Sequence, residues 1–88
     1  TIGKPYSIEP YVISISDMSE VFPVFQHAGT ELIYMLEGKV AYRHANKVYD
    51  LEPGDSLFFD AEASHGPEEI LALPCRYLSF IVSQGNEI

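Results

Sequence analysis

The sequence predicts an all-β fold, a sandwich or barrel, and three observations carry that prediction. Short runs rich in β-branched and aromatic residues recur along the chain, the clearest at residues 10–16 and 77–82. Turn residues interrupt these runs roughly every 8–12 positions, the rhythm of a sandwich or barrel. No stretch longer than about six residues keeps the 3.6-residue helical repeat. The best helical candidate, residues 67–73, amounts to one or two turns.

Taken in order, residues 1–9 read as a leader or linker, 10–83 as the barrel and 84–88 as a polar tail. Residues 10–16 form the first strand, followed by a polar loop to Glu20. Residues 21–26 read as a second extended segment, with Pro23 marking an edge or bulge. Residues 31–36 are a strand stopped by Glu37-Gly38, and 39–44 another. Ala45-Asn46 forms a hairpin tip into 47–51, since Asn tolerates positive φ. Glu52-Pro53-Gly54-Asp55 is a tight turn, 56–59 an apolar strand, and 60–64 a loop. Pro74 separates the 68–73 stretch from the last strand.

Eighty-eight residues make one small domain. The net charge is −8, and the five cations, Lys4, Lys39, Arg43, Lys47 and Arg76, never cluster. Such a surface repels phosphate backbones and anionic lipid, so direct contact with nucleic acid or membrane is not expected. Cys75 is the single cysteine and reads as a small buried hydrophobe; no intrachain disulfide can form. With no apolar run long enough for a membrane span and no signal peptide, a soluble cytoplasmic protein is expected. The chain opens on Thr1, which reads as a piece of something longer. Phe25, Tyr34, Tyr42, Phe58, Phe59 and Phe80 are assigned to the core. His44 is assigned an exposed position beside a turn, Asp60 and Glu62 to a solvated loop, and Glu68-Glu69 to a solvated face.

The residues with chemistry to offer are His27, Glu31 and His65. Two imidazoles and one carboxylate make a facial set that suits Fe, Mn, Ni, Co or Zn and leaves coordination positions open. Along a straight strand, residues four apart lie about 13 Å apart, too far to share one ion. His27 and Glu31 therefore meet only if Ala28-Gly29-Thr30 bends, which Gly29 permits. Beyond the bend, alternation turns Glu31, Ile33 and Met35 inward and Leu32, Tyr34 and Leu36 outward. An inward carboxylate among aliphatic side chains is costly unless paired or ligated. Either a divalent metal or hydrogen bonds to the histidines would satisfy it. No phosphate loop, Cys-x-x-Cys or Ser-His-Asp arrangement is present, and no catalytic residue is assigned.

These residues carry a resemblance to the cupin superfamily. His27, three residues, Glu31, six residues and Gly38 match its first motif; Gly54, five residues, then Asp60 through His65 match the length of its second. Phe25 stands where metal-binding cupins usually carry a further histidine, and Asp60 and Glu62 stand where Pro and Gly are usual. The resemblance implies a small antiparallel β-barrel or jelly roll, the cupin double-stranded β-helix, with His27, Glu31 and His65 as metal ligands. The stretches HAGTELIYMLEGKV, from His27, and LEPGDSLFFDAEASHG, from Leu51, resemble the C-terminal cupin domain of Xre-type helix-turn-helix transcription regulators. That implies a barrel that senses a small-molecule effector, expected to be polar, and DNA contact only through an N-terminal domain outside this chain. The same two-domain plan occurs in a mononuclear-iron epoxidase, so the alternative is a metal-dependent dioxygenase, epoxidase or isomerase. A third possibility is a purely structural barrel filled by aromatics. The apolar first strand leaves an exposed edge, and a homodimer is expected to cover it.

Overall fold

The computed structural model describes residues 5–84; the first four residues of the expected leader and the last four of the tail lie outside them. Five antiparallel strands follow in order: β1 (Tyr6–Ile15), β2 (Thr30–His44), β3 (Lys47–Leu51), β4 (Ser56–Asp60) and β5 (His65–Gln84). No helix is found among the described residues. The all-β expectation holds.

β2 is the spine. One edge pairs with β5 along its length, while the other pairs first with β4 and then with β3. β1 adds to the far side of β5 as the outermost strand. The long β2–β5 ribbon breaks register between Met35 and Val40, where pairing steps from Glu37–Arg76 to Lys39–Ala72. This irregularity flips the inward face of β2 from odd positions (Glu31, Ile33, Met35) to even ones (Val40, Tyr42). On β5 the same flip separates Ile70 from Cys75, Tyr77 and Ser79. The two halves of the ribbon then share one core. Tyr42 from one half sits edge-on to Tyr77 from the other, ring centroids 6.5 Å apart. Ile33, Met35, Val40 and Cys75 are fully buried between them.

Several local expectations need correction. β1 begins at Tyr6, ahead of the expected Pro10, because Ser7–Glu9 keep pairing with Ile81–Ser83. Residues 21–26 form no strand; Phe25 alone bridges to His65, while Val21 and Val24 project into solvent. Gly38 and Pro74 do not end strands. Leu73–Cys75 sit in the register break facing β2, where the N–H that Pro74 lacks is not needed. The helical candidate 67–73 is accordingly part of β5. At the hairpin tip Ala45, not Asn46, has positive φ (55°). Of the aromatic core set, Tyr42 and Phe59 are buried, whereas Phe25, Tyr34 and Phe58 are exposed by strand alternation or loop placement.

Candidate metal centre and cavity

Glu31 is the second residue of β2, held between Phe59 of β4 and Ile81 of β5. This central position, with the inward pleat, buries the carboxylate to 6% exposure. His65 opens β5, paired with His44 and bridged through its backbone to Phe25, and is 1% exposed. His27 lies in the loop before β2, tied down by its N–H to the Ala61 carbonyl at 3.0 Å. Gly29 supplies the required bend at φ 93°, with its own carbonyl accepting from the Ala61 N–H. The chain therefore turns back on itself between His27 and Glu31. Their side chains meet at 3.1 Å, His27 Nε2 to Glu31 Oε1.

All three side chains converge, with one ligand atom from each lying within 4.8 Å of the others. His65 Nε2 is 3.2 Å from the same Glu31 oxygen. Hydrogen bonding sets the tautomers. His65 Nδ1 lies 2.9 Å from the Ala63 carbonyl and His27 Nδ1 3.1 Å from the Ala28 carbonyl. A carbonyl can only accept, so both Nδ1 atoms carry the proton and a neutral ring presents its Nε2 lone pair to Glu31. With both rings neutral, two lone pairs face one carboxylate oxygen. His65 Nε2 has no hydrogen-bond partner despite being fully buried. Leaving such an atom unsatisfied costs about 1–3 kcal/mol. A shared cation removes that cost, and the backbone-anchored Nδ1–H is the usual orienting contact of a metal-bound histidine. The residues present fit a divalent metal.

The second Glu31 oxygen is also engaged. Ser79 Oγ donates to Oε2 at 2.8 Å, fixing the carboxylate so that Oε1 faces the histidines. Ser79 was not among the residues expected at the site; its signal was a small polar residue between Tyr77 and Ile81 on the inward positions of the last strand. His44, expected exposed, is half-buried: its Nε2–H donates to the Asp60 carbonyl at 2.9 Å, and its ring packs on Phe59. It stands apart from the triad. Asp60 and Glu62 are exposed, as expected, and the Asp60 carboxylate accepts from the Glu62 N–H.

Beside the triad opens a cavity of about 310 Å³. Its walls are the side chains of Tyr11, Ile13, Phe25, Tyr42, Tyr77 and Ile81, and Glu31 and Ser79 also border it. Burial, reinforced by the Glu31 carboxylate, pushes the Tyr42 phenol far above its ordinary value of 10.0. Burial likewise raises Tyr77, with smaller contributions from Cys75 and Glu31. Since the folded state holds these protons more tightly than the unfolded chain, their stabilisation is complete below pH 10 and is lost as pH rises above it. Stability should fall by about 1.4 kcal/mol per pH unit for each of the two above that point. Spectrophotometric titration should show two of the six tyrosines ionising only with unfolding, and a Tyr42→Phe variant should leave one.

A small antiparallel barrel with a His-Glu-His set at one end of its central strand, Glu31 and His65 buried and His27 half-buried, defines a class, and the comparisons agree with it. Residues 15–81 match the cupin domain family, and the chain belongs to that family. Solved structures share the fold, two of them as follows. The Fe(II) form of HppE in complex with substrate superposes with TM-score 0.71 at 23% identity, over 85% of this chain and 45% of HppE. A cupin-2 domain containing protein from Shewanella frigidimarina NCIMB 400 superposes with TM-score 0.60 at 16% identity, over 86% of this chain and 69% of that one. This chain thus spans less than half of HppE, and the likeness is one of fold. No curated protein matches the sequence.

Proposed function

We propose that this chain is the ligand-sensing cupin domain of a helix-turn-helix transcription regulator, holding a divalent cation on His27, Glu31 and His65. The observation that carries the sensing part is the juxtaposition of a converging three-ligand set, with His65 Nε2 unpartnered, and a cavity bordered by Glu31. An effector entering the cavity would bind one arrangement of the domain better than another, and that difference would bias an attached DNA-binding domain. The regulator part rests on the motif resemblance around His27–Val40 and Leu51–Gly66 and on the −8 charge, which leaves DNA to another domain. Such a protein would work in the cytoplasm; no helix among the described residues is long and apolar enough to cross a membrane. The reading frame upstream of Thr1 is expected to encode a helix-turn-helix domain, and a frame that starts at or just before Thr1 contradicts the proposal.

The regulator would act as a homodimer. Among the described residues β1 leaves one edge without a neighbour, and the outer sheet face carries an apolar row, Pro10–Phe80–Leu32–Phe58, across four strands. Ile8, Val12 and Phe58 on this face are more than half exposed. A two-fold pairing that covers edge and row would hide both. Light scattering at high micromolar concentration should report a dimer, and a monomer would contradict it.

The open positions of a three-ligand site favour a second reading, a metal-dependent enzyme of the oxygenase or isomerase kind. A divalent ion bound there supplies Lewis-acid polarisation of a bound oxygen group. The chain's own residues would orient substrate against the Tyr42 and Tyr77 phenols and exclude water with the apolar wall. Turnover of a small-molecule substrate that is lost in His65→Ala would support this reading over sensing alone.

A further inference from the structure

The cavity lining distinguishes among classes of ligand. Four aromatic rings and two isoleucines make its walls, and among the described residues no Lys or Arg borders it. A ligand with several hydroxyls or charges would lose its hydration here and find few partners, at a cost for each unpaired group. An anionic ligand would also face Glu31 with no Lys or Arg among the described lining residues to pair with it. Phe25 sharpens the point. At the position where the sequence resemblance leads one to expect another histidine, a phenyl ring forms part of the wall, its centroid 6.1 Å from that of His65. One polar group is exchanged for an apolar one. The polar features that remain sit together: Glu31 and Ser79, joined by a hydrogen bond, beside the phenols of Tyr42 and Tyr77.

We infer that the cavity takes a small, largely apolar molecule with a single uncharged oxygen group at one end, the apolar body against Tyr11, Ile13, Phe25 and Ile81 and the oxygen toward Glu31 and Ser79. This differs from the polar effector the sequence led one to expect. The volume of about 310 Å³ stands at the small end of ligand cavities, so the molecule is compact. The inference rests on the sensing proposal only in assuming that the cavity binds a small molecule at all.

A homologous series tests it. The chain, without and then with zinc, is titrated with n-propanol, n-butanol, n-pentanol and n-hexanol, and separately with glycerol and erythritol. Binding is followed by backbone amide shifts in NMR. Saturable shifts at Tyr11, Ile13, Ser79 and Ile81 are expected with the alcohols, tightening about fourfold per methylene until the cavity is filled. The polyols should bind at least about tenfold more weakly than butanol, because each added hydroxyl is desolvated without a partner. Ile13→Asn, on the half-buried part of β1, should flatten the chain-length dependence. Polyols that bind as well as the alcohols, or affinity independent of chain length, would overturn the apolar class while leaving a sensing cavity intact. No saturable shift with any probe, with or without zinc, would overturn both.

Discussion

Glu31→Gln should stabilise the metal-free protein slightly and abolish its stabilisation by metal. In the free protein the Glu31 Oε1 atom faces two imidazole nitrogens at 3.1 and 3.2 Å. With both Nδ1 protons held by backbone carbonyls, those nitrogens are acceptors wherever the rings are neutral. A glutamine amide with its N–H₂ toward the histidines donates to them and leaves its carbonyl to accept from Ser79. The gain should be about 1 kcal/mol, the worth of one satisfied buried acceptor. Metal inverts the order. An ion that binds only the folded state adds about 2.7 kcal/mol at a hundredfold excess over its Kd. For a domain of this size that is a rise in Tm of roughly 10–20 °C. Wild type should show that rise with zinc or manganese and Glu31→Gln should not, since an amide is a far poorer ligand than a carboxylate. Thermal melts with and without a chelator read both halves. If Glu31→Gln destabilises the metal-free protein by more than about 2 kcal/mol, the histidines already donate to Glu31 and the lone-pair conflict described above does not exist.

The second large effect comes from a residue with no chemistry of its own. Gly29 makes the bend that brings His27 to Glu31, and a Cβ there would overlap the Val82 carbonyl oxygen on β5. Gly54 provides the control, because its φ of 91° nearly equals the 93° of Gly29, yet a Cβ on Gly54 meets nothing within 4 Å. Gly54→Ala should therefore cost only the left-handed backbone penalty, about 1–2 kcal/mol. Gly29→Ala adds a collision with backbone that cannot rotate away, and the total should reach about 3–4 kcal/mol. Urea unfolding of the two variants measures the difference. Equal losses would show that β5 yields at Val82. Where Gly29→Ala still folds, it should also weaken metal binding, because relief of the collision moves the bend away from Val82 and carries the loop bearing His27 with it.

These two cases show what could be read ahead of the structure. The all-β class was legible because burial on one face of a strand demands period two, and Glu31, Ile33 and Met35 obey it with their neighbours outside. The need for a bend at Gly29 was legible too, since four residues of straight strand separate two ligands too far for one ion. The register break in β2 and β5 was not. Gly38 and Pro74 look like stops when each is read locally, but they face one another across a ribbon whose pairing spans 36 positions of sequence. The break also inverts which residues face inward, so Val40 and Tyr42 enter the core out of phase with Ile33 and Met35. Ser79 and the cavity walls were hidden for a related reason. Ser79 meets Glu31 across the β2–β5 ladder, 48 residues away in sequence, and Tyr11 and Ile13 reach the cavity from the strand beyond. Phe25 was noticed as a missing ligand, and the structure shows that it is also a wall.

The central claim is that His27, Glu31 and His65 together hold one divalent cation. Its most direct test is a crystal of the protein grown with zinc, with anomalous density measured at the zinc edge. A single peak is expected about 2.0–2.2 Å from both Nε2 atoms and from a Glu31 oxygen, absent in His65→Ala. Density confined to surface carboxylates, with the His65 Nε2 found donating a proton to Glu31, would contradict it.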